Sequence, residues 1–215
     1  MGTEFPSSKP EFKTGIKLAG GNSIITPVFR CSFTYLVNPQ MPGPDNDLKE
    51  PKYSVLCLFP PDADFTLMNG LLKDILENGR CKFGTDPSKH PHGFKNPWHD
   101  QGEKEFDGFV KGSKYITISS AQKPDILAAD GVSRITDTSM IYSGCFARAI
   151  INAFDYSNKS KGVSFGLNHI QKIADGPSLG NRVRSEGAFS AVEPQAGFGP
   201  AGGTGAPSNA NALFG

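Results

Sequence analysis

Residues 141–172, reading IYSGCFARAIINAFDYSNKSKGVSFGLNHIQK, constrain the fold more than any other stretch of the chain. Two runs rich in Val, Ile, Phe and Tyr flank the polar segment Ser157-Asn158-Lys159-Ser160-Lys161-Gly162, whose residue types suit a tight turn. The pattern predicts a long β-hairpin. Side chains alternate faces along a strand, so Tyr142, Phe146, Arg148, Asn152 and Phe154 share one face of the first arm. The other face carries Ser143, Cys145, Ala147, Ala149, Ile151 and Ala153, mostly small, which lets a second layer approach closely. The aromatic face suits either a core or a binding platform. Arg148 on such a face needs a carboxylate or an anionic ligand.

The rest of the chain reads as short strands around one helix. Thr26 to Val37 predicts a strand with Phe29, Cys31, Phe33, Tyr35 and Val37 facing the core and Arg30 facing outward. The segment 38–51 is a Pro-rich loop, and Tyr53 to Phe59 suits a buried strand. A helix capped by Asp62 or Asp64 follows, with Phe65, Met68, Leu71, Leu72, Ile75 and Leu76 on one face and Gly79 as its stop. Residues 80–113 form a long irregular stretch holding the single Trp98, with Phe94, Lys95 and His99 close by. Interleaved aromatic and basic residues on a loop suit base stacking with phosphate contact, and equally a tryptophan plugging the core edge. Lys114 to Ser120 is a further strand, ahead of Gln122-Lys123-Pro124.

The Gly and Pro contents (25 and 17 residues) favour strands joined by turns over long helices, and one helix among several strands points to a mainly β domain. A five-stranded OB-like barrel with one packed α-helix and long loops closes such a set without exposed edges. The division reads as a flexible N-terminal arm over 1–25, one domain over 26–184, and a disordered Gly/Ala/Pro-rich tail over 185–215. Every Lys and Arg precedes Ser185, and only Glu186 and Glu193 among the acids follow it. Net charge is +1 overall, so an anionic partner requires a local groove. No apolar run is long enough to span a membrane, no secretory pattern opens the sequence, and the four cysteines are dispersed, so the expectation is a soluble cytoplasmic protein with free thiols.

Catalysis finds little support. There is no phosphate loop, no G-x-S-x-G and no recognisable carboxylate pair, and the tail's Gly197–Gly202 glycine pattern lacks a preceding strand. Cys81, His90, His92 and His99 match no common zinc spacing, so neither a metal nor another cofactor is expected. A metal-dependent nuclease around the His-rich loop is the enzymatic rival to a binding module.

The strings Tyr142-Ser143-Gly144-Cys145-Phe146-Ala147-Arg148 and Lys161-Gly162-Val163-Ser164-Phe165-Gly166-Leu167-Asn168-His169-Ile170-Gln171-Lys172 are the most distinctive in the chain. With Lys52-Tyr53-Ser54-Val55, Lys95-Asn96-Pro97 and Asp175-Gly176-Pro177-Ser178-Leu179-Gly180, they resemble the OB-fold single-stranded-DNA-binding proteins of lytic bacteriophages over about residues 26–184. The resemblance implies sequence-tolerant binding of single-stranded DNA during phage replication, recombination and repair, without catalysis, in the cytoplasm of an infected bacterium. It carries Arg148, Tyr142 and Phe146 to the binding groove. Asn152 on the same face, and Lys114, Tyr115, Lys123, Arg30, Trp98 and Lys95 by charge and exposure, complete the predicted DNA contacts. Relatives often end in an acidic tail with a terminal aromatic that recruits replication proteins. Here the tail has two acids and Phe214 next to last, which leaves Phe214 as the predicted docking residue. Dimerisation varies within the family. The alternative reading is a virion assembly protein that uses the β domain for protein contacts.

Because the composition changes at Ser185, deleting residues 185–215 is expected to preserve a cooperative thermal transition while altering partner binding. A scan of the truncated chain that lost cooperativity would overturn that boundary.

Overall fold

A computed structural model describes residues 5–180, apart from 7, 8, 20 and 47. The expected tail, with Phe214, lies outside the described residues, as does the beginning of the expected arm. In chain order the elements are α1 (Glu11–Thr14), β1 (Ile16–Lys17), β2 (Ser23–Ile25), β3 (Phe29–Gln40), β4 (Lys52–Leu58), α2 (Thr66–Asn78), β5 (His99–Asp100), β6 (Lys114–Ser120), β7 (Asp125–Leu127), β8 (Phe146–Ser157) and β9 (Lys161–Ala174). No described helix is long and apolar enough to cross a membrane.

The predicted hairpin is β8 and β9, paired antiparallel from Phe146↔Ala174 to Ser157↔Lys161. Residues 141–145 stay outside the strand, so the arm is shorter than its sequence suggests. From the hairpin the ring closes as the OB order requires. Strand β8 pairs antiparallel with β3, β3 with β4 and β4 with β6, while β6 meets β9 in parallel. The inward side chains of β8 are mostly small, Ala147, Ala149 and Ala153 beside Ile151. They leave room for α2, which packs against β8 and β9 and buries Met68 and Leu72. The helix ends before Gly79 as predicted, but Phe65 takes its N-cap position; Asp64, one residue earlier, accepts the Thr66 N–H (2.8 Å). Phe29, Phe59 and Phe165 fill the ring interior; burying each such ring contributes roughly 1.5–3 kcal/mol.

Two expectations give way. The described part of the expected arm holds α1, β1 and β2, because β3 covers only the Phe146 end of the twelve-residue β8. The remaining edge of β8 needs hydrogen-bond partners. Strand β2 supplies them (Ser23↔Asn152, Ile24↔Ile151, Ile25↔Ile150), and Thr26 exchanges further bonds with Ala149.

The second concerns residues 80–113. This stretch is pinned at its centre, because β6 and β9 share a single register pair, Ser119↔Gly166. Below that pair the gap is filled by residues 95–100. Lys95 N donates to Lys161 O (2.8 Å) and Lys95 O accepts from Val163 N (3.1 Å), while His99 and Asp100 pair with Tyr115 and Lys114. Between these anchors Trp98 turns inward against Phe65 (4.6 Å between centroids), Phe165 (6.0 Å) and Phe59 (6.3 Å). Its indole N–H donates to Asn69 Oδ1 at 3.1 Å. Trp98 is therefore the core plug, and its loop setting follows from the need to close the ring. Trp98→Ala is expected to lower stability by about 3 kcal/mol or more, read by urea denaturation; an unchanged midpoint would refute the strap as the closure.

Candidate nucleic-acid interface

Oligonucleotide-binding barrels of this order use the outer face of their second and third strands, flanked by the loops joining strands one to two and four to five. Here those strands are β4 and β6, and the second of those loops is the hairpin turn at Lys159. Cross-strand rows define the outer face. Arg30, Leu58 and Tyr115 form one row, Ser32, Leu56 and Thr117 the next, and Tyr35, Ser54 and Ser119 a third.

A β-bulge on β3 determines which aromatics reach this face. Ser32 stands opposite Leu56 and Tyr35 opposite Ser54, so Phe33 and Thr34 together oppose Val55. Phe33 takes up the extra residue at φ +46°, in the left-handed region that L-residues avoid. Strand parity inverts there. Phe29 and Cys31 point inward as predicted, but Phe33 and Tyr35 point outward and Leu36 enters the core. Phe33 is 48 % exposed. An outward, strained aromatic of this kind is typical of a functional surface.

Phe33 begins a string of rings. It packs edge-on against Phe106 (5.5 Å), Phe106 against Phe109 (5.5 Å), Phe109 against Tyr115 (5.5 Å), and Tyr115 stacks on His99 (5.0 Å). Phe106 is 49 % exposed, and the Lys104 ammonium lies over both Phe106 (5.8 Å) and Tyr115 (5.6 Å). Gln101 fixes the segment carrying Phe106 and Phe109: its amide donates to Phe59 O (2.9 Å) and Lys114 O (2.8 Å), and its Oε1 accepts the Val110 N–H (2.9 Å).

The His99 end of the string continues into the 95–100 strap. Lys95 is four residues away, at most about 14 Å along an extended chain. There the exposed Lys95, Lys159 and Lys161 meet at the hairpin turn, where Lys95 bridges to Gly162. Exposed Arg80 and Lys82 join them from the turn after α2. Asp155 on β8 holds that turn by accepting the Cys81 N–H. The Cys81 thiol is pushed up, first by desolvation and then by Asp155, with Arg80 and Lys161 opposing the shift.

The residues predicted from sequence are distributed differently. Lys114 and Lys95 border the string, Lys114 paired with Asp100 at 3.5 Å. Tyr115 lies within the string but is buried, because Phe109, His99 and Lys104 cover it. Lys123 is exposed in the turn before β7. Arg30 lies on the outer face yet is buried: residues 144 and 177 fold over it, and its guanidinium donates to Gly144 O (3.3 Å) and Pro177 O (2.8 Å). Desolvation there lowers its pKa. Phe146 is buried against Phe5 at 5.0 Å and has no exposed ring face for a base.

Tyr142 belongs to a closed network. Its hydroxyl lies 3.0 Å from Asp175 Oδ1 and 2.9 Å from Gly176 O, and Lys172 covers its ring (5.6 Å) while pairing with Asp175 (2.7 Å). Lys172, then Tyr142, hold the Asp175 carboxyl below its ordinary range, and burial pushes the Tyr142 phenol up. Arg148 and Asn152 do face outward together, but from β8, which β3 and β9 separate from β4 and β6 around the ring. Arg148 Nε donates to Gln171 Oε1 (2.9 Å) and its guanidinium stacks over Phe12 (5.6 Å). Asn152 sits against Gly166, where an added Cβ would meet its Oδ1 at 2.7 Å. In the His-rich loop, His90 stacks on Phe94 at 4.1 Å, and no metal-binding group of three His, Cys, Asp or Glu occurs among the described residues.

Ring order and helix define this chain as an OB-fold domain. A family model described as Enterobacter phage Enc34, ssDNA-binding protein, matches residues 22–198, and the chain belongs to that family. The single-stranded DNA-binding protein from bacteriophage Enc34, solved in complex with ssDNA, is 24 % identical; the match covers 81 % of this chain and 97 % of that one, with a TM-score of 0.61. The single-stranded DNA-binding protein gp2.5 of bacteriophage T7 is 12 % identical over 76 % of this chain and 98 % of that one, TM-score 0.55. Both likenesses show the fold. A putative protein p50 of Acyrthosiphon pisum secondary endosymbiont phage 1 is 31 % identical over 80 residues. That match spans 37 % of this chain and 43 % of the relative's length.

Phe33→Gly removes both the exposed ring and the left-handed strain. Its stability is expected to stay within about 1 kcal/mol of wild type, since relief of strain offsets the lost Phe106 contact. A larger loss in denaturant titration would make Phe33 a core residue instead of a surface one.

Proposed function

We propose that this chain coats single-stranded DNA without regard to sequence and without catalysis, in the replication, recombination and repair of a phage genome inside the bacterial host. The observation that carries the reading is the aromatic string from Phe33 to His99, joined by one strap to the cations around the hairpin turn. Rings stack on any base, and cations follow any backbone. Family membership and the fold shared with phage proteins described as binding single-stranded DNA support the same reading. In it, Phe33, Phe106 and Tyr35 meet bases, and Lys95, Lys159, Lys161, Arg80 and Lys82 meet phosphates. Lys114 and Lys123 lie along or beyond the same face, and Phe214 is the docking point for replication proteins.

Fluorescence anisotropy with labelled oligo-dT, oligo-U and duplex DNA at several salt concentrations tests this. Oligo-dT is expected to bind in preference to duplex, with log K falling against log salt no more steeply than about −3.5, the limit if those cations all contact phosphate. Absence of binding at low salt would overturn the reading. Phe106→Ala should weaken oligo-dT binding by about 1–3 kcal/mol in a folded protein. Arg148→Ala, on β8 where its guanidinium is bonded to Gln171 and stacked on Phe12, should lower stability and leave affinity unchanged. The reverse pattern would move the interface to the outer face of β8.

A further inference from the structure

The aromatic string is bordered by negative charge. Phe106 lies in the segment Glu103-Lys104-Glu105-Phe106-Asp107, and all five side chains are exposed. Its one cation, Lys104, is held over the rings of Phe106 and Tyr115. Asp107 is fixed beside the string, accepting the Gly180 N–H at 3.1 Å and facing buried Arg30. At the far end Lys114 is paired with Asp100. Lys111 packs against Gly102 at the start of this segment, and among the described residues Lys95, Lys159 and Lys161, which form no ion pair, gather at the hairpin turn, on the other end of the strap. A surface meant to attract phosphate would carry the opposite pattern around its rings.

We infer that Glu103 and Glu105, with Asp107, are specificity determinants that keep phosphates away from the stacking platform and thereby exclude duplex DNA. The inference rests on the single-strand-binding reading and adds the source of its selectivity. In a duplex the bases are stacked inside and the phosphates lie outside, about one charge per 1.7 Å of axis. Any approach of a duplex to Phe33 and Phe106 brings phosphates against carboxylates within a Debye length, where repulsion is only partly screened. A single strand can turn its bases onto the rings and direct its backbone away, toward Lys95, Lys159 and Lys161. The carboxylates thus act on the wrong ligand far more than on the right one, which is how a like-charge element produces discrimination.

The test is anisotropy on the full chain with oligo-dT and a duplex of equal length, comparing wild type with Glu103→Gln/Glu105→Gln. A control, Glu11→Gln, removes a carboxylate on α1, away from both the string and the cations of the hairpin turn. The Glu103/Glu105 variant is expected to bind duplex about threefold more tightly at low salt, with a much smaller change for oligo-dT, so the single-to-double-strand ratio falls. The control should leave that ratio in place, and added salt should erase the difference. An unchanged ratio in the Glu103/Glu105 variant, or an equal fall in the control, overturns the inference while wild-type preference for oligo-dT still stands. Wild-type protein that shows no such preference overturns the single-strand reading and this inference with it.

Discussion

The ring of this domain depends on a closure that no pair of long strands makes. Strands β6 and β9 touch at one register pair, and below it six residues, from Lys95 to Asp100, carry the hydrogen bonds that strand pairing would otherwise supply. The fit requires a glycine at Gly162, where an added Cβ would lie 2.4 Å from Lys95 O. It also requires an inward anchor, because a short strap with a few backbone bonds does not offset its own ordering entropy. Trp98 provides that anchor by burying its ring among Phe59, Phe65 and Phe165. The strap thus joins helix, barrel and outer face into one unit.

The same constraint shapes the candidate interface. His99 leaves the strap on the outer side and stacks on Tyr115, which fixes one end of the aromatic string. The bulge at Phe33 fixes the other. Left-handed backbone at a phenylalanine costs about 1–2 kcal/mol, and the cost persists because β3 is held on both sides of the bulge, by β4 at Arg30–Ser32 before it and at Tyr35 after it, and by β8 at its start. Without the bulge, Phe33 and Tyr35 would point inward with Phe29 and Cys31. One extra residue converts the second half of β3 from core strand to exposed surface.

Much of the fold was legible because its long elements obey simple periodicity. The hairpin, the three other strand runs of the ring and the helix with Asp64 and Gly79 near its ends are written in local sequence. What escaped reading is non-local. Strands β1, β2, β5 and β7 have two or three residues each, too few for a period, and exist because neighbouring edges need partners. The outward assignment of Arg30 followed strand parity correctly and still misjudged burial, since residues 144 and 177 arrive from elsewhere in the chain. Simple alternation places Phe33 and Tyr35 in the core, because nothing in TPVFRCSFTYLV marks a bulge. The string draws on four separate stretches, around residues 33, 99, 106 and 115, so no local motif could have revealed it. The one available signal was Phe106-Asp107-Gly108-Phe109, two aromatics in an otherwise charged loop.

Charge distribution then ties the fold to its work. With a net charge of +1, the protein cannot rely on a broad positive field to gather nucleic acid, so attraction has to be local. The ring geometry separates two kinds of contact that are often interleaved. Exposed rings lie over the outer face of β3, β4 and β6, and cations occupy the hairpin turn. Each can then operate in the electrostatic setting that suits it: rings need no counter-charge, whereas cations lose most of their effect when carboxylates stand beside them. Lys114 illustrates the point, because its pairing with Asp100 leaves little of its charge for a phosphate. Arg148 illustrates the converse. A guanidinium bonded to Gln171 and stacked on Phe12 holds the N-terminal segment against β8, which makes it part of the scaffold.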